Sequence, residues 1–117
     1  MEENTIKALA LELAVIVTEI CDKIKGRSVY TNQLLRACSS IGANAHEAKY
    51  AHSRADFISK LEISLKECYE SEYWLELLFK IKALTSDQYD ELSKKCGLIR
   101  NKLIASITTA KKNGDMP

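Results

Sequence analysis

Apolar residues recur at steps of three and four through most of the chain, and the first clear run is Ile6, Leu9, Leu13, Ile16, Ile20 and Ile24. At about 100° per residue these positions form one stripe, which predicts an amphipathic helix closing near Lys25 and Gly26. Leu11 and Val15 lie on its far side among Glu12, Glu19 and Asp22, and read as a contact for another subunit or as scattered surface residues. Thr31 is the expected cap of a second helix, running to about Tyr50. Ser53 to Asp56 has the Ser-x-x-acid form of a capping box and opens a third helix, whose stripe of Phe57, Leu61, Ser64, Cys68, Leu75 and Phe79 carries it to about Ala83. Thr85 to Gln88 is a second such box. It opens a fourth helix with Tyr89, Leu92, Cys96, Ile99, Leu103, Ile107 and Ala110 on one side, ending at Asn113 and Gly114. Four amphipathic helices with short connections predict an all-α, antiparallel up-down-up-down four-helix bundle.

The second helix is two-sided. Arg36, Ser40, Asn44 and Glu47 share one stripe, with Leu34, Ala37, Ile41, Ala45 and Ala48 roughly opposite. An ordinary surface helix would carry lysines and glutamates, whereas this polar row sits among Ala, Ser and Gly, small enough to admit a neighbouring backbone. If the second and third helices turn back on each other near Ala51, Arg36 falls level with Glu67 or Glu70. A charge-assisted pair there fixes register more than it adds stability, so the row reads as structural. The third helix has a second stripe that includes Glu67, Glu70 and Trp74. Trp74 is expected either at a core edge or in an assembly surface.

At 117 residues, with one proline and four glycines, the chain suits a single domain (1–117) of long helices and not a turn-rich β fold. The net charge of +1 excludes a global electrostatic pull toward nucleic acid or membrane, so any such binding must be local. Cys21, Cys38, Cys68 and Cys96 are widely spaced, form no Cys-x-x-Cys motif and read as reduced packing residues in a reducing compartment. Glu2 and Glu3 before the first apolar run are wrong for a secretory leader, and the run is too charged to span a membrane. A cytoplasmic location is the expectation.

Chemistry is hard to place on this sequence. Residues three before His46 and His52 are Ala43 and Lys49, so the Glu-x-x-His pattern of di-iron bundles is missing, and two histidines six apart do not share a helical face. No glycine-rich phosphate loop or nucleophile elbow is present either. The expectation is no enzyme, no metal and no cofactor. Local charge leaves nucleic acid open: from Gly26 to His52, Arg27, Arg36 and Lys49 oppose only Glu47, and Leu84 to Pro117 holds six basic against four acidic residues. Arg27, Lys49 and Arg54 near the turns, and Lys94, Lys95 and Lys102 on the fourth helix, are the candidate phosphate contacts.

The run from Arg36 through Ser40, Ile41 and Asn44 to Ala48, then Ser53 to Ile58, then Leu65 to Glu70, resembles the bacterial four helix bundle protein family. That family includes the rRNA intervening-sequence proteins, often labelled ribosomal protein family members, and the accessory variability determinants of diversity-generating retroelements. The resemblance covers about half the chain and implies a homopentamer. By way of the retroelement members it also implies nucleic acid and a reverse transcriptase as partners. Ala45, His46 and Ala48 depart from the family pattern, and the chain is nearly neutral where the retroelement members are basic. The expected function is a homo-oligomeric accessory protein associated with structured RNA or DNA. A protein-interaction scaffold that makes no nucleic-acid contact is the rival.

Overall fold

The computed structural model describes residues 5–114, which form four helices: α1 (Ile6–Cys21), α2 (Ser28–Ala48), α3 (Arg54–Lys80) and α4 (Ser86–Gly114). Each helix packs on the next and α4 packs back on α1, while the diagonal pairs α1/α3 and α2/α4 make no such contact among the described residues. Antiparallel order shows in the cross-helix partners. Arg36 pairs with Glu67 while Glu47 pairs with Lys60, so α2 and α3 run in opposite senses. Arg100 with Glu72 and Lys111 with Glu62 establish the same for α3 and α4. The result is a rod of 54 × 23 × 21 Å with one core.

Local chemistry starts and stops the helices. Thr5 Oγ1 accepts the Ala8 N–H at 3.1 Å, and Ser53 Oγ accepts the Asp56 N–H at 3.1 Å, satisfying amides that an α-helix leaves unpaired. The box at Thr85 closes in both directions, with Thr85 Oγ1 accepting from Gln88 N–H and Gln88 Oε1 accepting from Thr85 N–H. α3 ends in a Schellman turn: the Ala83 N–H donates to the Leu78 carbonyl at 2.8 Å and the Lys82 N–H to the Phe79 carbonyl at 2.9 Å. That turn puts Lys82 at φ 66°, a left-handed position that usually takes glycine.

Two expected boundaries are corrected. α2 begins at Ser28 and not at Thr31, which lies inside the helix and is buried. The turn made by Gly26 at φ 72° lets the Arg27 carbonyl accept from both Tyr30 and Thr31, so Arg27 takes the cap position four residues early, with no side-chain cap. α1 stops at Cys21, and Ile24 packs on the core from a tightened connection in which its N–H donates to the Cys21 carbonyl. Apolar spacing kept the same phase through that turn, which hid the break.

The core is built from Leu13, Val17, Leu34, Ile41, Leu75 and Leu92 with their neighbours, and each helix adds one buried cysteine. All four thiols are free. Burial pushes Cys21 up to about 11 and Cys38 up to about 12, while the contact with Cys68, then burial, raises Cys96. Thiols held this far above neutral pH are poor nucleophiles and serve as packing groups. Ser64, also buried, donates to the Ile41 carbonyl at 2.7 Å and ties α3 to α2. On the other side of α2, a Cβ added at Gly42 would lie 3.3 Å from the Ala10 Cβ, so the small residue sets how closely α1 approaches.

Candidate functional site

The polar row of α2 lies along the seam with α3. Arg36 Nη1 sits 3.3 Å from Glu67 Oε2, its Nη2 contacts Glu70, and its Nε donates to Gln33 Oε1 at 3.4 Å. Glu70 also accepts the Trp74 indole N–H at 2.9 Å. These bonds, Trp74 first and Arg36 second, hold the Glu70 carboxyl below the usual range, and the two carboxylates raise the Arg36 guanidinium. The Arg36 side chain is still 47% exposed, so this is a half-wet clamp and not a buried pair. Farther along, Asn44 Nδ2 donates to the Ser40 carbonyl at 2.8 Å, and Glu47 pairs with Lys60 at 2.9 Å. The row is therefore three separate local arrangements and not one network.

Trp74 sits at a core edge, half-buried, stacked on Tyr30 with ring centroids 6.1 Å apart and edge-on to Tyr73 at 5.0 Å. Leu11 and Val15 lie elsewhere. They are 60% and 52% exposed on α1, and Leu11 lines a groove of about 330 Å³ whose α2 wall is Ser39, Gly42, Ala43 and His46. Gly42 and Tyr30 are twelve positions apart on α2, or roughly 18 Å, so the structure does not gather Trp74 with Leu11 and Val15.

The six candidate phosphate contacts also scatter. Arg27 and Lys49 flank opposite ends of the 21-residue α2, roughly 30 Å apart. Lys94 is exposed, Lys102 is half-buried, and Lys95 Nζ is bound to Glu12 at 2.6 Å, joining α4 to α1. Lys49 and Arg54, by contrast, come together around the α2–α3 turn. The acids nearest that turn are occupied, Glu47 by Lys60 and Asp56 by the His52 N–H at 3.2 Å. Arg54 Nη1 reaches the Ala110 carbonyl at 3.4 Å and complements the end of the α4 dipole, leaving other guanidinium donors toward solvent. Tyr50, 66% exposed, lies edge-on to His46 at 5.5 Å on the same turn.

Sequence reasoning missed the cleft that Lys49 and Arg54 border, a space of about 860 Å³ between the turn and the last turns of α4. Its signal was present: beside Ile107, which still closes the core, the α4 positions on this side are the small Ala105, Ser106, Thr109 and Ala110. No cluster of His, Cys, Asp or Glu able to hold a metal exists among the described residues, and no described helix is long and apolar enough to cross a membrane.

A crystal structure of a protein of unknown function from the S23 ribosomal protein family of Bacteroides thetaiotaomicron VPI-5482 superposes with a TM-score of 0.84 at 42% identity, covering 88% of this chain and 98% of that one. No curated protein matches the chain. The family model described as 23S rRNA-intervening sequence protein matches residues 2–105. With the helices, their register and the polar row of α2 all in place, the chain belongs to the 23S rRNA-intervening sequence protein family.

Proposed function

We propose that the chain is a non-enzymatic accessory protein of the cytoplasm, working as a homo-oligomer that associates with structured RNA or DNA. The observation that supports the nucleic-acid part is the α2–α3 turn, where Lys49 and Arg54 stand together while the adjacent carboxylates are engaged by Lys60 and by the His52 amide. A closed ring of copies would repeat this patch, so that weak phosphate contacts act together and compensate for a net charge of only +1. The exposed Leu11, which lines the small-residue groove of α2, and the exposed Val15 are the surface proposed for subunit contact. The resemblance to pentameric relatives sets five as the expected number. A reverse transcriptase is a partner only by the same resemblance.

The test is binding to a structured ribosomal RNA fragment across salt concentrations. Affinity should fall steeply between about 50 and 200 mM salt, as counterion release requires. Light scattering at micromolar concentration should give an oligomer, and Leu11→Lys with Val15→Lys should reduce it to monomer. A clean wild-type monomer contradicts the assembly. The near-neutral charge favours a second reading, a protein-interaction scaffold, and absence of binding at 50 mM salt would put that reading first.

A further inference from the structure

The cleft beside the α2–α3 turn has the size of a small-ligand site, about 860 Å³. Its lining mixes cations, apolar surface and small polar groups. Lys49 and Arg54 both line it, with the Arg54 guanidinium reaching the Ala110 carbonyl on α4, and no carboxylate lines the space among the described residues. Its apolar lining is Ala48, Ala51 and Ala110 with the exposed Ala105, and the half-buried Phe57 is its single large ring. The face of α4 that carries Ser106, Thr109 and Asn113, steps of three and four, adds two hydroxyls and an amide. The two cations favour an anion, Phe57 and the alanines a flat apolar body, and α4 a polar edge, where Asn113 can donate and accept at once.

A nucleotide offers one group for each: phosphate, base face and base edge. We propose that the cleft binds one unpaired nucleotide of a nucleic-acid chain, its phosphate held by Lys49 and Arg54 and its base laid against Phe57, an assignment that rests on the chain's association with nucleic acid. A paired base has its faces stacked and its edge engaged, so the site selects loops, bulges or ends over continuous duplex. Stacking on one aromatic ring is worth about 1–3 kcal/mol, which corresponds to roughly 5- to 150-fold in affinity.

The experiment compares two RNAs with equal numbers of phosphates, one a continuous duplex and the other a hairpin with an unpaired loop, titrated with the intact protein. The loop-bearing RNA should bind at least about 5-fold tighter. Ser106→Leu, which fills the cleft and keeps both cations, should bring the ratio of the two affinities close to one. Its thermal melt reports whether it folds. Independently of any variant, millimolar uridine monophosphate should lower the ratio for the wild-type chain, while octanoate should not. Equal binding of both RNAs by the wild-type chain, or a ratio that survives Ser106→Leu and the monophosphate, overturns the cleft but leaves the nucleic-acid reading standing. Displacement by octanoate as strong as by the monophosphate reassigns the cleft to apolar carboxylates. Binding to neither RNA removes both.

Discussion

Where α3 hands over to α4, large rings and turn chemistry close the bundle: Phe79 stacks on Tyr89 at 4.4 Å with an interplanar angle of 7°, above the Schellman turn and the reciprocal box at Thr85. At the other end, where α2 turns into α3, Phe57 stands among alanines and small polar residues and the space between the helices stays open. The chain has two phenylalanines, one at each end, and they meet opposite surroundings. Larger residues at Ser106 and Ala110, the half-buried small positions of α4 on this side, would narrow the space. Small residues there are what the proposed nucleotide site requires.

The strongest way to break this contrast is to truncate each ring. Phe79→Ala should cost about 3 kcal/mol, as loss of a packed ring does, whereas Phe57→Ala should cost about half as much because one side of its ring borders the cleft. Denaturant unfolding of the two variants measures this. Equal losses would mean the open end is as tightly built as the closed one.

Next comes the seam that links the ends. Arg36→Ala should cost about 1 kcal/mol, since a guanidinium this exposed is well screened even with two carboxylate partners. The Glu70 carboxyl is depressed on folding, so its contribution is present above the unfolded carboxylate pKa and is lost as pH falls through the lower folded value. Arg36→Ala should therefore weaken the loss of stability in acid. Melting curves in the acidic range for both proteins check the sign, and a variant with an unchanged acid limb would refute it.

A smaller effect, of opposite sign, belongs to the closed end. Lys82→Gly relieves a left-handed residue and should gain about 0.5–1 kcal/mol, net of the extra freedom glycine gives the unfolded chain. A loss would show that the Lys82 side chain makes a compensating contact. The least change is expected from Lys95→Gln. Its ion pair with Glu12 lies on the surface and is worth less than about 1 kcal/mol, a difference read from the melting temperature.

Helix number, the capping boxes at Ser53 and Thr85, and the register that sets Arg36 opposite Glu67 and Glu70 were all legible, because periodicity and cap chemistry are local signals. The start of α2 was not, since a glycine turn did the work expected of the Thr31 hydroxyl. Charges were read least well. Lys95 looks free in sequence and is bound to Glu12 in space, and a residue 83 positions away cannot be guessed from spacing. Nor does periodicity report a void. Ala110 continues the inward stripe after Ile107, and only the open space beside it distinguishes it from an ordinary core position.

The account stands most directly on which cations meet nucleic acid. Affinity for a structured ribosomal RNA fragment at about 50 mM salt should be measured for the wild-type chain, for Lys49→Glu with Arg54→Glu, and for Lys94→Glu with Lys102→Glu. The account predicts that the pair at the α2–α3 turn loses at least about 10-fold more affinity than the pair on α4, although each double variant changes charge by the same amount. Equal losses would contradict it, showing a diffuse response to net charge, and so would a wild-type chain that does not bind.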